Sequence, residues 1–271
     1  IGSTSTSNEN VKVFRGIPYA APPIGNQRWK PPGDPKKWTG ELLATDFGPS
    51  CIQAPYPQNS FFYRPSRLTS EDCLYLNIWT TAEAGDNLPV MVWIHGGALT
   101  RGSGATASYD GTNLALKGVV LVTINYRLGV FGYFAHSELV TESPTQAAGN
   151  YGLLDQMKAL EWVQKNISAF GGDPENVTIF GESAGSWSVN LLTASPLAEG
   201  LFHKAIGESG GRLDPRMTLD QAIQNGDNLG SAMGADSLAE LRAIPAQELQ
   251  ESASANRFRT DGIVDGWSVP Q

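Results

Sequence analysis

The sequence lacks two features that would point to a membrane or to nucleic acid. No apolar run approaches the roughly 20 residues of a transmembrane helix, so we predict no membrane span. Acidic residues outnumber basic ones, 27 to 19, and no basic stripe is present, which argues against a nucleic-acid partner. The first ten residues also lack the basic and apolar segments of a signal peptide. A trimmed chain would look the same, so this absence does not establish a cytoplasmic location.

Cysteine and histidine are scarce as well. The two cysteines, Cys51 and Cys73, are on their own compatible with a disulfide or with two unrelated buried thiols. Only three histidines are available as a catalytic base. Nothing in the sequence predicts a metal site or a cofactor.

Apolar segments of two kinds alternate along the chain. Short apolar or alternating runs are typical of strands, and they occupy residues 73–80, 88–97, 118–127, 176–180 and 201–210. Apolar residues at helical spacing predict helices within residues 150–172, 183–195, 219–234 and 237–253. The proline-rich residues 10–50 are expected to form an extended, irregular wrap over the core. The alternation predicts an α/β fold with a central, mostly parallel, twisted sheet flanked by helices.

The segment VTIFGESAGSWSV, residues 177–189, places a serine between a predicted strand and a predicted helix. Gly181 and Gly185 flank Ser183 in the pattern of a nucleophile elbow. A turn this sharp crowds the residues on either side of the serine, so both are expected to be glycine. The side chain then stands at a helix N-terminus, where unpaired N–H groups favour negative charge. The motif also arises by chance in a chain with 30 glycines, and its flanking strand and helix favour a catalytic serine.

A second glycine-rich loop, HGGALTRGSG at residues 95–104, follows another predicted strand. Acyl transfer places negative charge on the carbonyl oxygen of the substrate, and each well-aimed backbone N–H donor stabilises that charge by about 3 kcal/mol. Glycine allows the backbone to approach closely. Taken alone, the loop is also compatible with an ordinary turn. Its pairing with the elbow predicts an oxyanion hole.

None of the three histidines is well placed to activate Ser183. A serine nucleophile needs a base that a carboxylate orients, and in α/β-hydrolases the order along the chain is Ser, then Asp or Glu, then His. His95 lies inside the glycine loop, and His136 precedes the serine. His203 follows the serine without an intervening carboxylate suited to orient it. We therefore expect none of them to be the base.

The residues around both loops resemble the type-B carboxylesterase and cholinesterase family. The similar segments, in the family's order, are FRGIPYAAPPIGNQRW, EDCLYLNIW, PVMVWIHGGA, NYRLGVFGYF, GNYGLLDQMKALEWVQKNISAFGGDPENVTIFGESAGS and LFHKAIGESG. They cover most of residues 11–211, so the resemblance is highly specific. It implies an α/β-hydrolase fold and a carboxylesterase that acts on a small-molecule ester.

The resemblance also implies roles for individual residues. Ser183 matches the family's nucleophile, and Gly97, Ala98 and Ala184 match the positions whose N–H groups form the oxyanion hole. Many members carry glycine where Ala98 stands, but alanine keeps the N–H donor.

Structural features carry over in the same way. Cys51 and Cys73 match the family's first disulfide, which favours a secreted or periplasmic protein. Two ion pairs are also implied: Arg28 with Glu71, and Arg127 with Asp155.

The resemblance covers roughly the N-terminal half of a typical member. In family members, the catalytic acid and histidine follow the position that corresponds to residue 271. Residues 1–271 are therefore expected to be the N-terminal part of one catalytic domain, whose C-terminal remainder is a partner that supplies the acid and the histidine. On its own, the chain is expected to be a weak catalyst.

The substrate is only weakly indicated. Arg101 lies in the glycine loop, and Arg212 and Arg216 follow IGESGG, where family members shape the acyl pocket. Arginine binds carboxylates bidentately. One hypothesis is therefore that Arg101 and Arg216 bind acyl groups with free carboxylates, as in esters of fumonisin-like toxins. Solvated surface arginines are the alternative.

Two other functions stay open at this point. One is a non-catalytic, cholinesterase-like interaction module, although such members typically lose the serine that is intact here. The other is a lipase, for which the aromatic loop at 52–70 would line the entrance to the site.

Overall fold

The computed structural model describes residues 1–56, 58–59, 68–211, 217–235 and 237–270. Eleven strands lie within these residues: β1 (Ser3–Thr4), β2 (Lys12–Pro18), β3 (Ser50–Cys51), β4 (Thr69–Ser70), β5 (Tyr75–Thr80), β6 (Leu88–Ile94), β7 (Val120–Ile124), β8 (Gly172–Glu182), β9 (Lys204–Glu208), β10 (Met217–Thr218) and β11 (Ile263–Val264). Arg212, Arg216 and part of the loop at 52–70 lie outside the described residues, so the hypotheses about them stay predictions.

Seven of these strands form the central sheet, in the order β1-β2-β5-β7-β6-β8-β9. The pairs β7–β6, β6–β8 and β8–β9 are parallel, and they carry both glycine motifs. The pairs β1–β2, β2–β5 and β5–β7 are antiparallel. The predicted α/β fold is confirmed. The expectation of irregular structure throughout residues 10–50 is wrong at β2, which pairs with β5 and buries Val13 and Ile17.

Alternating side chains place two clusters on opposite faces of the sheet. On β6, Val90, Val92 and Ile94 belong to the large main core. Met91 and Trp93 point the other way, against a smaller cluster of buried residues: Val11, Val13, Trp79, Ala115, Leu121 and Phe180. The first face is therefore deeply covered, and the second is covered by few residues.

The described helices are α1 (Thr112–Ala115), α2 (Gly129–Tyr133), α3 (Ser137–Glu142), α4 (Tyr151–Asn166), α5 (Ala184–Ala194), α6 (Leu219–Met233), α7 (Leu238–Ala243) and α8 (Ala246–Ala255). A single 3-10 turn, Ile167–Phe170, extends α4 to the left-handed Gly171, as the glycine pair predicts. The segment predicted helical at 237–253 is split into α7 and α8 at Pro245, which has no N–H to donate and holds the preceding residue extended. No helix in the described ranges is both long and apolar enough to cross a bilayer.

The cross-links implied by the resemblance are present. Arg28 donates to both carboxylate oxygens of Glu71 at 2.7 Å. Arg127 likewise donates bidentately to both carboxylate oxygens of the fully buried Asp155, at 2.8 and 2.7 Å. Cys51 and Cys73 form the predicted disulfide. The first ion pair and the disulfide join loops within the first third of the chain, and the Arg127–Asp155 pair joins the segment after β7 to α4.

Candidate active site

The parallel register of the sheet brings the two glycine motifs together. Ile94, the last residue of β6, lies opposite Gly181 near the end of β8. The loop that follows β6 and the turn that follows β8 therefore leave the same edge of the sheet side by side. A Cβ built on Gly96 would lie 3.2 Å from the Cβ of Ser183. The two predicted parts of the site are thus in direct contact.

Ser183 has the backbone conformation of a strained elbow. Its φ of 55° and ψ of −120° are rarely adopted by residues other than glycine, at a cost of roughly 1–3 kcal/mol. Hydrogen bonds on both sides hold this conformation: the Ser183 N–H donates to the carbonyl of Glu208 on β9 at 2.8 Å, and its own carbonyl accepts from the N–H of Trp187 on α5 at 3.1 Å. The side chain is half-buried, and its hydroxyl has no hydrogen-bond partner among the described residues.

The two glycines of the elbow are needed for different reasons. A Cβ on Gly181 would lie 2.6 Å from the backbone of Gly185, which is the crowding expected within the turn. A Cβ on Gly185 would instead overlap the carbonyl oxygen of Ile94 on the neighbouring strand. The second glycine therefore allows α5 to begin close against β6. Gly210 is a third close approach, since a Cβ there would lie 2.6 Å from the carbonyl oxygen of Ser183.

The segment from residue 95 to residue 102, which we call the oxyanion loop, turns on successive residues with positive φ. The values are 107° at Gly97, 56° at Ala98 and 59° at Leu99. The carbonyl of Gly97 accepts from the N–H groups of Thr100 and Arg101, at 3.0 and 3.1 Å. The N–H groups of Gly97, Ala98 and Ala184 donate no hydrogen bond to any described residue. Three unused donors therefore lie around the elbow.

His95 supports the start of this loop. Its ring is completely buried and stacks on Tyr126 at a centroid distance of 4.4 Å. His95 Nδ1 lies 2.8 Å from the carbonyl oxygen of Gly96, so the bond requires the tautomer that carries hydrogen on Nδ1. Burial lowers the pKa of His95 to about 4, an effect that the bond to Gly96 partly offsets. The imidazole is therefore neutral at neutral pH.

This geometry matches a known group of enzymes. A sequence profile described as the carboxylesterase family matches residues 2–268. The chain belongs to the carboxylesterase family. Its structure also resembles solved members at 43% identity: a thermophilic PNB esterase with a TM-score of 0.89, and a Geobacillus stearothermophilus carboxylesterase with a TM-score of 0.85. The first likeness covers 100% of this chain and 56% of the other, and the second covers 97% and 54%. The fold is therefore the α/β-hydrolase fold.

Relatives in the carboxylesterase family include enzymes with different named substrates. The chain is 46% identical over 273 residues to fumonisin B1 esterase of Sphingopyxis macrogoltabida. This alignment covers 98% of this chain and 50% of the relative. It is 46% identical over 256 residues to para-nitrobenzyl esterase of Bacillus subtilis, covering 93% and 51%. Human cocaine esterase is 44% identical, covering 98% and 48%. The chain spans about half the length of the curated relatives it matches.

Each histidine of this chain has a hydrogen-bond partner other than Ser183. His136 caps α3, where its Nδ1 accepts from the N–H of Glu138. His203 accepts from the N–H of Val177, in the middle of β8 and six residues before Ser183. His95 is engaged with the oxyanion loop itself. Within the described ranges, none forms a hydrogen bond with Ser183, and no group of three or more His, Cys, Asp or Glu residues could hold a metal ion.

Arg101 is the one substrate-binding candidate that falls in the described residues. Its guanidinium lies over the ring of Tyr56, 4.8 Å from the centroid, and it forms no ion pair with a described carboxylate. Burial raises the pKa of Tyr56, the positive charge of Arg101 opposes that rise, and the negative charge of Glu182 adds to it. Tyr56 therefore feels the charges of both Arg101 and Glu182, and Glu182 directly precedes Ser183.

Two contributors to the site were missed in the sequence. Gln53 forms two hydrogen bonds with Gly102, from 49 residues away in the chain. Gly210 is needed for the close approach to Ser183. A local pattern could not reveal either one, since each acts on a residue that only the folded sheet brings near. Glycine in IGESGG was the one available signal for Gly210.

Proposed function

We propose that this chain carries the nucleophile and the oxyanion hole of a serine carboxylic-ester hydrolase. Ser183 Oγ attacks the ester carbonyl carbon and passes its proton to a base. The base returns the proton to the departing alcohol, and water then hydrolyses the acyl-serine. The N–H groups of Gly97, Ala98 and Ala184 stabilise the transient oxyanion by about 3 kcal/mol each. The supporting observation is the strained turn at Ser183 beside three donors without a partner among the described residues.

The base and its orienting acid come, in this proposal, from a C-terminal remainder of the same catalytic domain. Each of the three histidines is bonded elsewhere, as described above. Two surfaces near the site support a covering partner. All five residues of β9 are exposed although the strand borders β8, and Trp93 lies only half-buried on the thinly covered face of the sheet.

A fluorophosphonate probe tests the proposal, because it labels an activated serine. We expect labelling at Ser183 when the chain is present together with the C-terminal remainder, loss of labelling in Ser183→Ala, and normal labelling in the matched control Ser108→Ala, which changes an exposed serine. The isolated 271-residue chain should hydrolyse a nitrophenyl ester only weakly. Full turnover by the isolated chain would contradict the assignment of acid and base to the remainder. Absence of labelling in the complete protein would favour the non-catalytic interaction module.

We propose further that the site prefers acyl groups bearing free carboxylates, with Arg101 as the binding group. The arginine has no carboxylate partner among the described residues, and Tyr56 holds its guanidinium in place. The 46% identity to a protein named fumonisin B1 esterase is compatible with this preference. Arg216 remains a second predicted contact outside the described residues.

Kinetics on matched anionic and neutral esters test the preference. Arg101→Ala should lower kcat/KM for the anionic ester by roughly 10- to 160-fold more than for the neutral one, as expected for the loss of one charged hydrogen bond of about 1.5–3 kcal/mol. Arg15→Ala is the matched control, because Arg15 also lies over an aromatic ring, that of Phe47. Equal losses of kcat/KM on both esters would contradict the proposed preference for carboxylate-bearing acyl groups.

An exported location also follows as a proposal. Disulfides persist in oxidising compartments and are rare in the cytosol, and Cys51 and Cys73 are joined. Alkylation of native protein without reductant should leave both cysteines unmodified. Modification of both in a freshly prepared extract would contradict export.

A further inference from the structure

A side chain outside both glycine motifs is bonded to the end of the oxyanion loop. Gln53 Nε2 donates to the carbonyl oxygen of Gly102 at 2.7 Å, and the N–H of Gly102 donates back to Gln53 Oε1 at 2.8 Å. One side-chain amide thus satisfies both backbone groups of a single residue. Because the two bonds run in opposite directions, they restrain the rotation of Gly102 as well as its distance.

Gly102 in turn lies against the peptide bond between Gly96 and Gly97. Its φ is 119°, and a Cβ at this position would overlap the ring of His95 and lie 2.7 Å from the carbonyl oxygen of Gly96. In a trans peptide the C=O and N–H bonds point in opposite directions. Whatever fixes the Gly96 carbonyl therefore also fixes the direction of the Gly97 N–H. Gly102 packs directly on that carbonyl, and His95 binds it.

Gln53 and Asn125 each form a hydrogen bond with the backbone of one of the two disulfide-bonded cysteines. Gln53 Nε2 also lies 3.0 Å from the carbonyl oxygen of Cys51. Asn125 makes the corresponding link on the other side: its Nδ2 donates to the carbonyl of Cys73 at 3.2 Å, and its Oδ1 accepts from the N–H of Gly104 at 2.9 Å. Two amide side chains therefore connect the residues that follow the turn to the two halves of one covalent cross-link.

We propose that Gln53 is a positioning residue for the oxyanion hole. Its amide holds Gly102 against the Gly96–Gly97 peptide, and this contact keeps the Gly97 N–H aimed at the oxygen that becomes negative. The inference rests on the function proposed above. Since Gln53 does not touch the reacting atoms, its loss weakens stabilisation of the transition state and leaves ground-state binding unchanged.

Three variants, made in the complete protein with its C-terminal remainder, test this role. Gln53→Leu removes both bonds to Gly102. Gln53→Glu is nearly isosteric and keeps the acceptor but loses the donor. Gln164→Leu is the matched control, because that amide also donates to backbone carbonyls, those of Pro174 and Leu201. It therefore reports the general cost of losing a half-buried glutamine.

The expected signature is a loss in kcat without a change in KM. Gln53→Leu should lower kcat by roughly 10- to 100-fold, less than the 10²–10³-fold that follows deletion of a whole oxyanion donor. Binding of a boronic acid, whose tetrahedral adduct places an oxygen in the hole, should weaken by the same factor. Gln53→Glu should show the same signature, because its carboxylate faces the Gly102 carbonyl without a donor, and it keeps the test valid if Gln53→Leu fails to fold. Gln164→Leu should retain kcat and boronic-acid affinity.

Labelling of Ser183 by a fluorophosphonate separates the possible failures. If the unaltered protein is not labelled, the proposed function is wrong and the positioning role is wrong with it. If it is labelled, but the Gln53 variants lose kcat no more than Gln164→Leu does, the positioning role alone is overturned. A rise in KM with kcat unchanged would likewise overturn it, because that result would place Gln53 in substrate binding.

Discussion

The burial of His95 makes the stability of this protein depend on pH, and one substitution should remove that dependence. The ring is completely buried, and burial lowers its pKa to about 4 from an ordinary value of 6.5. As pH falls, the unfolded chain binds a proton before the folded protein does. The stability that His95 contributes is therefore fully present above the unfolded pKa, declines from about pH 6.5, and is entirely lost below about pH 4.

The magnitude follows from the two pKa values. A difference of about 2.5 pKa units corresponds to about 3 kcal/mol for the complete loss, at 1.36 kcal/mol per unit. Between pH 7 and pH 5 the same linkage predicts a decrease of about 2 kcal/mol in the free energy of unfolding. His95→Phe keeps an aromatic ring against Tyr126 but cannot titrate. It also leaves the carbonyl of Gly96 without its donor, which should cost about 1–3 kcal/mol at pH 7.

Urea unfolding at pH 7 and pH 5, followed by tryptophan fluorescence, measures both effects. The decrease between the two pH values should be about 2 kcal/mol smaller in His95→Phe than in the unaltered protein. His203→Phe controls for the loss of a histidine elsewhere, since that residue is exposed. Contributions from carboxylates cancel in the comparison between variants. Equal pH dependence in the unaltered protein and in His95→Phe would refute the argument, because it would mean that the ring is protonated equally readily in both states.

Three further predictions concern other parts of the structure. Gly185→Ala should lower the melting temperature sharply, because its methyl group would overlap the carbonyl that ends β6, whereas a methyl group at Gly211 meets no atom of the described residues within 4 Å and Gly211→Ala should be nearly neutral; equal melting temperatures would contradict the close approach. Replacing Cys51 and Cys73 together by alanine should cost about 3 kcal/mol in urea unfolding, since the bond closes a loop with a sequence separation of 22; no change would contradict this. Glu71→Gln should cost about 3–5 kcal/mol, because its largely buried arginine partner would be left unpaired; a loss under 1 kcal/mol would contradict that assignment.

The elements nearest the site were predictable because their signals are local. The strand before each glycine motif is a continuous apolar run, and α5 begins directly after Ser183, as the small residues there indicate. Only one of the two reasons why residue 185 is glycine could be predicted from the sequence. Crowding within the turn was foreseeable from the motif, but contact with the carbonyl of Ile94 depends on which strand lies beside β8. Strand order is a non-local property, and local propensity carries no information about it.

By itself, the sequence determined the local chemistry of the site: a serine between glycines and a glycine loop after a strand. Each of these depends on residues adjacent in the chain, where backbone geometry dictates the residue type. Tertiary structure alone decided the arrangement. The parallel pairing of β6 with β8 set the two loops side by side, burial made His95 neutral, and a contact across 49 residues tied Gln53 to the oxyanion loop. Such contacts arise only when folding brings distant segments together.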